Sequence, residues 1–101
     1  MIISKPVRPM LEGEFGPFSF ALFMRAARTS LDLNQADMAR KLQIARGTLC
    51  DIEKGRQLVS VQFAMRVAKK AGLSVPLAVE ACLQDQLRKA NFKGKVRVSA
   101  A

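Results

Sequence analysis

Apolar residues recur along this chain with a helical period, and the breaks in that period divide it into elements. The segment FSFALFMRAARTSL after Pro17 sets Phe20, Phe23, Met24, Ala27 and Leu31 at i, i+3, i+4, i+7 and i+11, which is one stripe of a helix. Pro17 suits the first turn of such a helix. A second helix starts at Asn34, a good N-cap, with Asp37 three residues on in the place of a capping-box acid. Met38 and Leu42, four apart, give that helix its inner side. A third helix is predicted over about 46–54, with Leu49 and Ile52 inward and Gly55 placed as its C′ residue. Ser60 caps a fourth, about 61–71, with Phe63, Ala64, Val67 and Ala68 inward and Gly72 ending it. Ser74 and Pro76 open a fifth, about 76–90, whose apolar positions are Leu77, Val79, Ala81, Cys82, Leu83 and Leu87.

The two ends follow other rules. MIISKPVRP carries two prolines, so residues 1–16 form an extended N-terminal arm. In the basic tail, residues 91–101, Val96 and Val98 alternate with Lys95 and Arg97, a period of two that suggests a short strand, with a disordered basic tail as the alternative reading of KGKVRVSAA. The prediction is therefore all-α: five short helices over residues 17–90 with brief connections, flanked by short extended or β segments. A single domain of this length buries roughly two-thirds of the surface its unfolded chain exposes.

Composition narrows the chemistry. The chain has no His, Trp or Tyr, and without His it lacks the commonest metal ligand, general base and pH switch. No acids are paired at a catalytic spacing and no glycine loop cradles phosphate, so no catalytic residue, metal or cofactor is expected and the chain does not read as an enzyme. Cys50 and Cys82 form no CxxC pair and read as small, reduced apolar residues of a cytoplasmic protein. No signal peptide is visible. The apolar stretch Phe18 to Ala27 is broken by Arg25 and is too short to span a bilayer, so no membrane association is expected. Seventeen Lys and Arg against eight Asp and Glu leave a formal charge of +9. That excess favours polyanions, nucleic acid first, although a merely solvated basic surface is the plain alternative.

Residues 35 to 54 concentrate the specific signal. Two short helices separated by three or four residues must cross closely, which calls for a small side chain at the contact and a shared apolar core. Ala39 supplies the first, and Met38, Leu42, Ile44, Leu49 and Ile52 supply the second. This is a helix-turn-helix pattern. LNQADMARKLQIARGTLCDIEKGR resembles the helix-turn-helix of the XRE family, the group of the lambda-type and Cro phage repressors. The resemblance covers about Phe20 to Leu73 and is most characteristic in Asn34-Gln35-Ala36 and Ile52-Glu53-Lys54-Gly55. Gln43 stands where the family has a turn Gly, which puts a residue with a Cβ in a left-handed conformation at about 1 kcal/mol. Ala45 replaces the capping Ser or Thr, forfeiting roughly another 1 kcal/mol, and Asp32 replaces a Gly more mildly.

The resemblance implies a lambda-repressor-like fold that binds double-stranded DNA, with the third helix in the major groove. Carried over position by position, it implies base contacts from Arg46, Gly47, Thr48 and Asp51. Arg46 would grip guanine O6 and N7, and Asp51 would accept from a cytosine N4 or else orient Arg46. It implies phosphate contacts from Asn34 and Gln35 at the start of the second helix and from Lys54 and Arg56 after the third, with Arg40 and Lys41 as further candidates. It also implies a structural ion pair between Arg28 and Glu53. A homodimer is expected, joined through the fifth helix. The leading expectation is a repressor; the second is an antitoxin that also binds a toxin protein.

Overall fold

The computed structural model describes residues 19–99, so the arm over 1–16 and Pro17 lie outside the described residues. Ser19 opens the first helix. Its hydroxyl accepts from the Leu22 amide at 3.2 Å, and helix α1 runs Phe20–Ser30. The same local chemistry starts three others. Asn34 Oδ1 accepts from the Asp37 amide at 2.8 Å before α2, Gln35–Leu42. Ser60 accepts from the Phe63 amide before α4, Val61–Ala71, and Ser74 from the Leu77 amide before α5, Val75–Lys89. Each bond satisfies one of the amides that a helix N-terminus leaves without an internal partner. Helix α3, Arg46–Glu53, is the exception: Ala45 makes no side-chain capping bond.

These five helices, the only ones among the described residues, enclose one core. Phe20, Phe23, Met24 and Ala27 of α1 are buried together with Met38, Leu42, Leu49, Ile52, Val67, Leu77 and Ala81. Phe20 stacks on Phe23 with ring centroids 5.6 Å apart and meets the edge of Phe63 at 6.5 Å. Helix α4 packs most extensively on α5, while α1 lies against α3, α4 and α5. The amide of Phe20, in the first turn of α1, donates to Asp85 Oδ2 on α5 at 3.0 Å, a carboxylate well matched to the positive end of the helix dipole.

A second tie is a buried carboxylate. Glu53, at the end of α3, is only 3% exposed. Arg28 of α1 donates to it twice, from Nε to Oε2 at 2.8 Å and from Nη2 to Oε1 at 3.1 Å, and its Nη1 donates to the Leu33 carbonyl at 3.2 Å. The two parallel bonds are the fork that guanidinium and carboxylate geometry favours. Gln35 Nε2, at the start of α2, donates to the same Oε1 at 3.2 Å. One carboxylate thus joins the first three helices.

The tail departs from the expected strand. Residues 92–99 take no regular secondary structure, because no neighbouring strand among the described residues offers a ladder. Side chains of α5 take the backbone groups instead. Val96 N–H donates to Gln84 Oε1 at 2.9 Å, Gln84 Nε2 donates to the Gly94 carbonyl at 2.8 Å, and Val98 N–H donates to Glu80 Oε1 at 3.1 Å.

Two stability effects follow. Glu53→Ala leaves the partly buried Arg28 guanidinium without its counter-charge and should cost about 3 kcal/mol, the lower end for breaking a buried pair. Urea unfolding checks this. Gln43→Gly relieves a left-handed residue (φ 60) and should gain about 1 kcal/mol, which thermal unfolding should record as a rise of roughly 4–8 °C.

Candidate nucleic-acid interface

The turn between α2 and α3 spans only Gln43, Ile44 and Ala45. Gln43 adopts the left-handed conformation, φ 60 and ψ 44, without the aid of a glycine. Its amide donates to the Arg40 carbonyl at 3.1 Å, and the Ile44 amide donates to the Ala39 carbonyl at 3.0 Å. Those two bonds consume carbonyls in the last turn of α2 and reverse the chain. Asp32, before α2, is left-handed too, with φ 57. At the far end of α3 the left-handed residue is a glycine, Gly55 with φ 75, as the C′ position favours.

Helix α3 buries Leu49 and Ile52 and turns its first residues outward. Arg46 and Gly47 are exposed, while Thr48, Cys50 and Asp51 are half-buried. A Cβ built on Gly47 would meet nothing within 4 Å. Arg46 forms no ion pair among the described residues. Asp51 Oδ1 lies 3.5 Å from Arg56 Nε, so the acid pairs with Arg56 and does not orient Arg46. Both partners of that pair are about half exposed, and such a pair is worth little in water.

The residues expected at phosphate flank this helix. Asn34 is exposed but uses its Oδ1 for the cap of α2. Gln35 is half-buried and oriented by its bond to Glu53, and its side-chain carbonyl oxygen has no partner among the described residues. Lys54, the C-cap of α3, and Arg56 are both exposed. Arg40 pairs with Asp37 on the open face of α2, and Lys41 is exposed beside it. Arg28 and Glu53 meet beneath, buried enough to serve as scaffold.

Two features had little or no signal in the sequence. Arg66 of α4 donates from Nη2 to the Leu42 carbonyl at 2.7 Å, at the end of α2, and its guanidinium carbon sits 5.3 Å from the Phe63 ring centroid. The Phe63–Arg66 spacing of three hints at the ring contact, but nothing local points to a carbonyl twenty-four residues away. The Cys82 thiol donates to the Val59 carbonyl at 3.2 Å, holding the loop before α4. Burial, reinforced by Asp85, pushes that thiol up, against a smaller opposing effect of Gln86, so it stays protonated.

Among the described residues no group of three or more His, Cys, Asp or Glu could hold a metal ion, and no helix is long and apolar enough to cross a membrane. A family model described as Helix-turn-helix matches residues 24–77, more than half of the chain. No match is found among curated proteins or solved structures. The matched span takes in most of α1, all of α2 to α4 and the start of α5, with the buried Arg28–Glu53 pair inside it. The chain belongs to the XRE-type helix-turn-helix family of DNA-binding transcriptional regulators.

Proposed function

We propose that the chain is a dimeric repressor that reads a palindromic operator through the major groove with the first turn of α3. The observation that carries this reading is the state of Arg46: exposed, at the N-terminus of a helix whose opposite side is core, and free of any ion pair among the described residues. A guanidinium so presented can make two hydrogen bonds to guanine O6 and N7. Gly47 beside it lets the backbone approach a base closely, while Thr48 and Asp51 complete the reading face. Asn34, Gln35, Lys54 and Arg56 then grip phosphate on either side, which fixes register without reading sequence.

Dimerisation is assigned to α5. Val79, Leu83 and Leu87 fall one turn apart on an arc of α5 separate from the buried Leu77, Ala78, Ala81 and Cys82. All three are half-buried, and none is among the described side chains packed against the core cluster. A second copy meeting this stripe around a two-fold axis would pair two α3 helices, and palindromic operators ask such a pair to reach half-sites roughly 34 Å apart.

Selection from random duplexes, read by sequencing, tests the reading directly, since it reports sequence preference, palindromy and half-site spacing together. Arg46→Ala should cost about 1–3 kcal/mol on the selected site and relax preference at one base pair. Lys54→Ala should weaken selected and scrambled duplexes alike and lower the salt slope by about 0.9. Equal losses on both duplexes for Arg46→Ala would remove it from the bases. Leu83→Glu should yield a monomer in sedimentation equilibrium, and selection with it should recover single half-sites.

A further inference from the structure

The helix-turn-helix turn is held at one point from outside the motif. Leu42 is the last residue of α2, and its carbonyl is among those that a helix end leaves without an internal partner. The amides of Gln43 and Ile44 go to Arg40 and Ala39, so the turn itself occupies earlier carbonyls. Arg66 takes the Leu42 carbonyl at 2.7 Å, reaching it from α4 with its guanidinium beside the Phe63 ring. A hydrogen bond from a charged donor is stronger than a neutral one. Lys69 and Lys70, farther along α4, are exposed and make no such bond among the described residues.

That bond falls where the turn has least support of its own. Gln43 is left-handed without being glycine, and Ala45 starts α3 with no side-chain cap. The direction of α3, and therefore the position of Arg46, depends on the three residues between the helices. A recognition side chain works only if held to within about 0.5 Å and 10–20° of its productive geometry.

We propose that Arg66 is a positioning residue for DNA recognition: it clamps the α2–α3 turn through the Leu42 carbonyl and so fixes how Arg46 is presented, without touching DNA. This rests on the reading of α3 as the groove-facing helix. The clamp and the strain at Gln43 act on the same three residues, so they are coupled. Replacing Gln43 with glycine makes the turn easier to hold and lessens the need for Arg66.

The test compares the full chain with R66M, Q43G and the double variant. Methionine keeps an apolar stem beside Phe63 and removes the guanidinium. Hydrogen exchange without DNA is followed at the amides of Gln43 and Ile44, with Val67 and Ala68 as references. Binding is measured on the selected duplex and on a scrambled one, from 50 to 200 mM salt. R66M is expected to speed exchange at Gln43 and Ile44 about tenfold, the factor equivalent to ~1.4 kcal/mol, and to leave the references unchanged. It should lower the ratio of selected to scrambled affinity by about tenfold as well, at an unchanged salt slope, and Q43G should restore most of both losses.

A fall of about 0.9 in the salt slope with unchanged exchange would make Arg66 a phosphate contact and overturn the proposal. So would uniform acceleration at all four amides, which is loss of general stability, or no change in exchange and affinity ratio. If R66M does not fold, R66L, which keeps apolar bulk beside Phe63 and carries no donor, is put through the same measurements, and the same outcomes decide. If selection recovers no preferred duplex, the DNA reading fails and the positioning role fails with it. The exchange result then still decides whether Arg66 holds the turn.

Discussion

The buried Glu53 carboxylate is the constraint on which the arrangement of the first three helices depends. A charge taken out of water is tolerable only when its lone pairs are filled, and here Arg28 and Gln35 fill them from two other helices. Apolar packing of Met38, Leu42, Leu49 and Ile52 brings α2 and α3 together but is indifferent to small rotations. The forked bond from Arg28 is not, because it requires the end of α3 and the side of α1 to face each other in one register. Gln35 extends the same constraint to the N-terminus of α2. A residue expected at phosphate is thereby oriented from behind by the group that fixes the scaffold.

The motif is less firmly held at its centre than around it. Helices α1, α2, α4 and α5 each begin with a side-chain cap, and α3 does not. The turn before α3 bends at a residue with a Cβ, whereas Gly72 takes the same conformation after α4 without hindrance. Support reaches this weak centre from elsewhere in the chain: Glu53 at the end of α3, Arg66 from α4, and the core below.

Much of this was legible in the sequence because it is local. Capping by Asn34, Ser60 and Ser74 needs only the three residues that follow each of them, and the stripes of α1 and α4 need only the helical period. The left-handed Gln43 and the uncapped Ala45 were legible as departures from a family pattern, and the Arg28–Glu53 pair as a match to it. What escaped were bonds between polar side chains and distant backbone: Arg66 to Leu42, Asp85 to the start of α1, and Gln84 and Glu80 to the tail. Such bonds leave no periodicity, and their partners become neighbours only once the core has formed. The alternation around Val96 and Val98 misled for a related reason. Residues two apart in the tail meet α5 side chains four apart, so a strand-like pattern is satisfied by a helix.

Gly47 carries a consequence for how such a protein changes over time. A glycine in the first turn of a helix gives up more backbone freedom on folding than alanine there would. Yet the space around its missing side chain is empty, next to the exposed Arg46. Almost any residue could be written there without disturbing the core, and most would strengthen the helix while doing so. On the groove-reading proposal, position 47 is an unwritten letter: the fold leaves room for a narrower preference to be acquired in one step.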